Sequence, residues 1–262
     1  MKLDQKTIRE LASHLEQAEL NAQDVVKITD AHPDMDFEDA YAIQYAIRAA
    51  KLGRGQKFAG LKMGLTSRAK MNQMGVDTPI FGFLMDYMAR GDGEEIRVDE
   101  LIHPKIEPEI AFVTKSDLRG PGCHIGDVLG ATDFVVPALE IIDSRYRDFK
   151  FDLKSVIADN TSSSRFVAGG RAENLGKLDL RTLGVILEKN GEVVATGAGA
   201  AVLGHPASSV AMLANMLAAR GELIPAGSYV MTGALTEAVA VGKGDSVTAR
   251  FQGLGSVSVR FV

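Results

Sequence analysis

Two glutamates, Glu107 and Glu109, lie two residues apart in the run HPKIEPEIAFV, residues 103–113, whose composition is typical of a buried strand. Side chains alternate between the two faces of a strand, so both carboxylates point the same way, about 7 Å apart at ~3.3 Å per residue. The alternative is a strand end, where both glutamates meet water and Pro108 marks an edge of the sheet. This stretch alone leaves both interpretations open.

A third glutamate, Glu140, lies in the run FVVPALEIID, which is apolar on both faces. A buried carboxylate must be neutral or paired, because desolvating its charge is costly, and Arg145 is one candidate partner. Three inward-facing glutamates would repel one another where their strands converge, and a divalent cation is the simplest compensation. Ligation by oxygen alone favours magnesium, manganese or calcium over zinc or copper. The glutamates therefore predict a metal site.

Lys62 lies in another apolar run, GLKMGL, between two glycines. It either extends its ammonium to the surface or, desolvated beside a metal, acts as an acid/base or binds an anion. Two polar loops could join the same site: GVDTP carries Asp77, and ADNTSSSRF carries Asp159, Asn160 and the serines 162–164. Each loop alone is ordinary turn chemistry. In a metal site they would supply hydrogen bonds and a further carboxylate for proton transfer.

The overall composition excludes several classes of protein. A net charge of −5 over 262 residues, with scattered basic residues, gives no footprint for nucleic acid. The single cysteine, Cys123, rules out an internal disulfide and a cysteine-based zinc site, which fits a reducing compartment. The first residues, MKLDQKTIRELASHLEQ, are a charged amphipathic segment rather than a signal peptide, and no apolar run approaches the ~18 residues of a membrane span. We expect a cytoplasmic protein with no membrane or nucleic-acid partner.

Helical patterns dominate the first part of the chain. Apolar residues recur at helical spacing after a cap at Asp4, and a second helix begins near Asp36 with Asp39 in its first turn. The segment KFAGLKMGL then predicts a strand, and SRAKMNQM a short helix closed by Gly75. We predict that residues 1–78 form a small, helix-rich N-terminal lobe.

Strand patterns dominate from about Pro79 onward. Asn190-Gly191 between two apolar runs predicts a hairpin, and the end of the chain alternates as two strands around glycines. One long helix interrupts the strands, from Pro206 to a stop at Gly221. We predict an α+β fold in which residues 79–262 form the larger, β-rich domain.

Four segments, in their order and spacing, resemble the hydratase/decarboxylase family of the fumarylacetoacetate hydrolase superfamily: KMGLTSRAKMNQMGVDTPIFG, HPKIEPEIAFV, ALEIIDSRY and ADNTSSSRF. The resemblance covers essentially the whole chain. It implies a small N-terminal α/β lobe and a C-terminal mixed β-roll domain. It also implies a magnesium or manganese ion held by Glu107, Glu109 and Glu140, an active-site lysine at Lys62, and an acid/base aspartate at Asp77.

Within that family the chain resembles most the members that decarboxylate 2-oxo-3-hexenedioate, a keto-diacid of the meta-cleavage pathway of aromatic degradation. The resemblance implies release of carbon dioxide, 2-hydroxypenta-2,4-dienoate as product, and a complex with the pathway hydratase. Hydration of that dienol is the alternative activity, because the hydratases share these motifs, and a non-catalytic metabolite-binding protein is a remote third. Substrate contacts are expected from the serine-rich loop and from a basic residue that the sequence alone does not select: Asn160, Ser162, Ser163, Arg68, Lys70 and Arg145.

Overall fold

The computed structural model describes residues 1–68, 71–72, 76–169, 172–173 and 175–262. Its helices with described bounds are α1 (Gln5–Leu20), α2 (Phe37–Gly53), α3 (Ile125–Ala131), α4 (Leu153–Ala158) and α5 (Pro206–Ala218). Arg68, Met71 and Asn72 are also helical, as the SRAKMNQM pattern predicts. The predicted stop of that helix at Gly75 lies outside the described residues.

The two N-terminal helices begin where their capping residues predict. The Asp4 carboxylate accepts a hydrogen bond from the Thr7 amide at 2.7 Å, which satisfies one of the free amides of the first turn of α1. Asp36 and Asp39 form a reciprocal capping box at the start of α2. Both helix starts are therefore confirmed. α2 packs against α1 on one side and α4 on the other.

Eight strands form the larger of two mixed sheets. They are β1 (Phe58–Gly64), β2 (Ile80–Met85), β3 (Ala89–Arg90), β5 (Lys105–Thr114), β6 (Thr132–Ile142), β7 (Ser163–Ala168), β10 (Tyr229–Met231) and β11 (Val239–Ala240). The order is β2-β1-β10-β5-β6-β7-β3, with β11 also paired to β5. The β1–β10 and β3–β7 pairs are parallel, and the other pairs are antiparallel. β5 and β6 are thus interior strands, which explains why they are apolar on both faces.

The smaller sheet has five strands in the order β4-β13-β12-β8-β9. Their bounds are β4 (Glu95–Ile96), β8 (Gly184–Lys189), β9 (Glu192–Ala198), β12 (Ser246–Phe251) and β13 (Gly255–Phe261). Asn190 and Gly191 join β8 to β9 with φ values of 55° and 84°, so the predicted hairpin is confirmed. β12 and β13 pack against β6 of the larger sheet, and one hydrophobic core includes residues from both sheets and from α1 and α2.

Two expectations from the sequence need correction. The one long helix predicted among the strands is α5, and two short helices that the sequence analysis did not predict, α3 and α4, add to it because both are too short for a helical period to stand out. The segment Gly199–Ala218 is also long and apolar enough for a membrane span by length and composition, with a mean hydropathy of 1.2. Half of that segment is buried inside the protein, and Val210, Leu213 and Leu217 of α5 are fully inaccessible. Packing in the core accounts for its apolar composition.

The N-terminal segment contributes directly to the larger sheet. β1, which precedes the predicted domain boundary at residue 78, pairs with β2 and β10 on either side. The boundary itself remains a prediction. What matters for the site is that β1 carries Lys62 into the same sheet as the glutamates of β5 and β6.

Candidate metal centre and cavity

The three predicted glutamates converge. Glu107 of β5 lies directly opposite Glu140 of β6 in the antiparallel register, and Glu109 lies one step further along the same face. One carboxylate oxygen of each residue lies within 4.8 Å of the others. Glu109 and Glu140 are fully inaccessible, and Glu107 is 7% exposed. Since β5 is an interior strand, the interpretation of Glu107 and Glu109 as exposed residues at a strand edge is wrong.

Lys62 forms an ion pair with this cluster. Its Nζ lies 3.1 Å from Oε2 of Glu140 and donates a hydrogen bond to the Thr161 carbonyl, also at 3.1 Å. Lys62 is only 3% exposed, so its interpretation as a lysine that reaches the surface is wrong. The suggested ion pair between Glu140 and Arg145 is also wrong, because β1 places Lys62 beside Glu140 instead.

The carboxylates carry more negative charge than these partners balance. Glu109 accepts a hydrogen bond from the Gly233 amide at 2.7 Å through one oxygen, whereas its other oxygen, Oε1, is buried without a hydrogen-bond partner. Burial raises the pKa of Glu109 well above its ordinary value, and repulsion from Glu140 raises it further. Burial likewise raises the pKa of Glu140, against the opposing pull of Lys62. Both directions mean that the site lacks positive charge.

A divalent cation fits this deficit. Three carboxylates provide convergent oxygen ligands of the kind that magnesium and manganese prefer, and the unpartnered Oε1 of Glu109 is available as one of them. A bound cation would also reverse the electrostatic penalty on the ionised carboxylates. The donor set and its burial therefore support the predicted metal site.

A left-handed turn holds Lys62 in place. Asn160, Thr161 and Ser162 have φ values of 47°, 54° and 57°, a conformation that costs roughly 1–2 kcal/mol per non-glycine residue. The Asn160 side chain bonds both backbone groups of Phe83, at 2.9 and 3.0 Å. The Thr161 hydroxyl donates to the Phe81 carbonyl at 2.8 Å. These bonds to β2 maintain the strained turn, which is typical of functional sites.

Two glycines permit the close approach of this turn. A Cβ at Gly82 would lie 2.7 Å from the Asn160 carbonyl oxygen, and a Cβ at Gly64 would lie 2.7 Å from Cγ2 of Thr161. Any larger residue at Gly82 would push against backbone atoms, which cannot rotate away. The glycines of the GLKMGL and IFGF segments therefore let the turn reach Lys62 and the glutamates.

A buried ion pair between Arg145 and Asp159 fixes the start of the same turn. The Arg145 guanidinium donates to the Asp159 carboxylate and carbonyl, and its Nη1 donates to the carbonyls of Asp143 and Ser163 at 2.7 and 2.9 Å. The neighbouring Asp159 raises the pKa of Arg145 despite its burial. Arg145, a predicted substrate contact, is thus engaged with the protein itself and positions the loop.

A cavity of about 350 Å³ opens beside the glutamates. Its polar lining residues are Lys62, Lys105, Glu107, Thr161 and Ser162. Phe149, Phe151 and Val156 form an apolar wall. The hydroxyl oxygen of Ser162 is buried without a hydrogen-bond partner, whereas Ser163 donates to Glu140 at 3.3 Å. Of the serines left open by the sequence, Ser162 is therefore the one free to contact a bound molecule.

Other predicted residues lie away from the carboxylates. Asp77 is exposed, accepts a hydrogen bond from the Thr78 hydroxyl at 3.0 Å, and lines a second cavity of about 390 Å³. Ile80 lines both cavities. Arg68 is exposed on its helical turn, and Lys70 lies outside the described residues. Sequence reasoning overlooked Thr161, Phe149 and Lys105, although Lys105 precedes Glu107 by two residues and shares its face.

The fold and site define the class of protein. The family model for the fumarylacetoacetate hydrolase C-terminal region matches residues 53–262, and the chain belongs to the fumarylacetoacetate hydrolase family. This match confirms the predicted α+β fold and the predicted family.

Individual relatives are similar over nearly their full lengths. A 4-oxalocrotonate decarboxylase from Pseudomonas sp. (strain CF600) is 65% identical over 96% of both chains. A solved structure of 4-oxalocrotonate decarboxylase from Pseudomonas putida G7, complexed with magnesium and adipate, is 61% identical and superimposes with a TM-score of 0.98 over 100% of this chain and 99% of that one. A 2-hydroxypent-2,4-dienoate hydratase from Pseudomonas putida is more distant, at 43% identity over 82% of this chain and 97% of its own.

Proposed function

We propose that this chain is a metal-dependent carboxy-lyase that converts 2-oxo-3-hexenedioate to 2-hydroxypenta-2,4-dienoate and carbon dioxide. The observation that carries the proposal is the set of three buried carboxylates with Lys62 beside a cavity sized for a small molecule. The higher identity to the decarboxylase than to the hydratase supports decarboxylation over hydration. The magnesium and adipate of the solved relative are a divalent cation and a six-carbon diacid, as this reaction requires.

The substrate already contains a path for the electrons of the breaking bond. When the bond between C5 and C6 breaks, carbon dioxide leaves and the electron pair moves through the conjugated system onto the 2-oxo oxygen, which then takes up a proton. A magnesium or manganese ion held by Glu107, Glu109 and Glu140 would supply positive charge for the 1-carboxylate and 2-oxo oxygens. Side chains of this protein must orient the substrate, donate the proton and exclude water.

Lys62 and Ser162 are placed to act on the oxygen that gains charge. The Lys62 ammonium lines the cavity while Glu140 and the Thr161 carbonyl fix its position, so it can donate a hydrogen bond or a proton to the enolate oxygen. The unpartnered hydroxyl of Ser162 can bond the same end of the substrate. The apolar wall of Phe149 and Phe151 keeps water from the departing end, which favours loss of its charge.

Asp77, the predicted acid/base, remains part of the proposal. It lines a second cavity that adjoins the first at Ile80, and this adjacency is what supports keeping Asp77 as a candidate for proton transfer. The proposal also includes a cytoplasmic location, supported by the free, buried thiol of the chain's one cysteine, Cys123. The proposal further includes a complex with the pathway hydratase, which the family resemblance supports. Co-purification of the two proteins tests whether this complex forms.

Supplying each substrate separately to the purified protein with magnesium tests the reaction. We expect carbon dioxide release from 2-oxo-3-hexenedioate, with the dienol as first product, and loss of turnover with a chelator that magnesium or manganese restores. Rapid conversion of the dienol to 4-hydroxy-2-oxopentanoate, with no carbon dioxide from the diacid, would replace the proposal with the hydratase activity.

A covalent route through Lys62 is the mechanistic alternative, since a lysine beside a keto acid can form an imine. The Lys62 nitrogen is engaged by Glu140 and by the Thr161 carbonyl, each at 3.1 Å, which leaves it poorly placed to attack a carbonyl carbon. We expect borohydride in the presence of substrate to leave Lys62 unmodified. Mass spectrometry that detects a reduced adduct on Lys62 would establish the imine route instead.

A further inference from the structure

Lys105 extends the polar face of β5 beyond the glutamates. Lys105, Glu107 and Glu109 alternate with apolar residues, so they share one face and are spaced about 7 Å apart at ~3.3 Å per residue. Lys105 lines the cavity together with Glu107. The cavity therefore has the carboxylates and Lys62 on one side and a second cation one step along the strand.

The ammonium of Lys105 has no anionic partner within the part of the chain that the structure describes. It lies 4.1 Å from the centre of the Phe149 ring. Phe149 and Phe151 are part of the same cavity wall. Lys105 is thus a half-buried cation that lines a cavity and packs against an aromatic ring. Its partial desolvation is already incurred on folding, which favours binding of an anion in the cavity.

Two of the three basic residues predicted to hold the departing carboxylate are placed elsewhere, and the third, Lys70, lies outside the described residues. Arg145 is bonded to Asp159 and to backbone carbonyls, and Arg68 is exposed and absent from the described cavity lining. Lys62 is held by Glu140 at the carboxylate end. Among the described lining residues, Lys105 is therefore the cation available to bind the carboxylate that lies farther from the glutamates.

We propose that Lys105 binds the distal carboxylate of the substrate and so makes the cavity selective for a dicarboxylate over a monocarboxylate. The inference rests on the proposed function, since it takes the 2-oxo acid end of the substrate to lie at the glutamates. An extended six-carbon diacid has the length to reach from there to a residue one alternation along β5. Lys105 is a specificity-determining residue in this scheme, whereas the glutamates and Lys62 serve the reacting oxygens.

The chemistry predicts how Lys105 affects the kinetics. Lys105 would attract the distal carboxylate. That carboxylate loses its negative charge as it becomes carbon dioxide. An interaction made in the ground state and lost toward the transition state lowers KM without raising kcat. Removal of the Lys105 charge should therefore raise KM for the diacid while kcat stays the same or rises.

Binding of two unreactive acids separates this role from a general effect. Adipate and hexanoate have the same carbon count and differ by one carboxylate, so their dissociation constants can be measured by calorimetry on the magnesium-loaded protein. We expect Lys105→Gln to weaken adipate by about 10- to 100-fold, the value of one charge-assisted hydrogen bond, and to leave hexanoate nearly unchanged. Lys105→Arg should retain most of the preference. Lys115→Gln, at an exposed lysine that follows the same strand, should change neither.

An equal loss for both acids, or no loss for adipate, would overturn the assignment of Lys105. Magnesium affinity and the thermal midpoint of each variant show whether the site and fold persist, and unchanged values make either outcome decisive. Failure of the proposed function has a different signature. A wild-type protein that prefers adipate but releases no carbon dioxide from 2-oxo-3-hexenedioate would refute the reaction and leave the dicarboxylate site standing.

Discussion

Two largely buried clusters of charged side chains among the described residues differ in charge balance. The helix cluster joins α1, α2 and the end of β2, and consists of Glu16, Glu19, Lys51, Arg54 and Tyr87. The carboxylate cluster joins β1, β5 and β6, and consists of Lys62, Glu107, Glu109 and Glu140. The helix cluster pairs two carboxylates with two cations, whereas in the carboxylate cluster the described ion pair of Lys62 with Glu140 leaves the pKa values of both Glu109 and Glu140 raised.

The pKa values move in opposite directions in the two clusters. Burial raises the pKa of Glu19, but the attractions of Lys51, 2.8 Å away, and Arg145 together with the hydrogen bond from Tyr87 outweigh it, and the net shift is downward. In the carboxylate cluster burial and repulsion together raise the pKa of Glu109. A buried cluster whose charges balance is explained by structure alone. A buried cluster that does not balance needs a further ligand, and this contrast separates scaffold from site.

The largest expected effect is on activity, from Glu107→Gln. The substitution keeps the size of the side chain and removes a metal ligand, so kcat/KM should fall by at least about 100-fold. In the metal-free protein the substitution also removes the repulsion that Glu107 exerts on Glu109 and Glu140, so the pKa values of both should move back toward their ordinary value. Steady-state kinetics and the pH dependence of thermal unfolding measure the two effects. Nearly wild-type activity in this variant would remove Glu107 from the metal site.

The opposite pattern is expected in the helix cluster from Lys51→Met. Lys51 is 1% exposed and lies within 3.6 Å of Glu16 and 2.8 Å of Glu19, so its loss removes the cation beside Glu19 and leaves Glu16 with Arg54 alone. We expect the free energy of unfolding to fall by about 3–5 kcal/mol, with kcat preserved in the folded fraction. Lys6→Met, which breaks the exposed pair of Lys6 with Glu10, is the matched control and should change stability little. If Lys51→Met abolished turnover at full stability, the division between the clusters would be wrong.

A smaller effect concerns pH. In the metal-free protein the raised pKa of Glu109 makes a contribution to stability that is fully present below its ordinary value of 4.5 and is lost as the pH rises through the raised value. Magnesium binds the ionised carboxylates, so protons compete with it at low pH. The increase in thermal midpoint on adding magnesium should therefore grow between pH 5 and pH 8, and Glu109→Gln should flatten the dependence. A magnesium effect that is constant or shrinks over this range would contradict the proposed charge deficit.

Features set by short-range patterns were predictable from the sequence. The caps at Asp4 and Asp36 and the hairpin at Asn190-Gly191 each depend on residues a few positions apart, and the structure has all three. The convergence of the glutamates was predictable for a different reason. Buried carboxylates in two apolar strands have few physically acceptable arrangements, and a shared cation is one of them.

Features set by distant pairing were not predictable from local pattern. Lys62 rather than Arg145 lies beside Glu140 because β1 pairs with β10 in the larger sheet. These two strands are far apart in the sequence, so no local pattern indicates that they pair. The left-handed turn at Asn160–Ser162 has no local signal, since threonine and serine seldom adopt a positive φ. Only the bonds from that turn to β2 make the conformation acceptable.

The most direct test of the account is to locate manganese in crystals of the protein by anomalous diffraction. We predict one strong peak at the carboxylate cluster, within about 2.0–2.2 Å of an oxygen from each of Glu107, Glu109 and Glu140, and no peak at the helix cluster. Glu109→Gln crystals grown the same way should lose most of that density. A cluster without manganese at saturating concentration, or a peak bound elsewhere while turnover remains metal-dependent, would contradict the central claim that these three glutamates hold the catalytic metal.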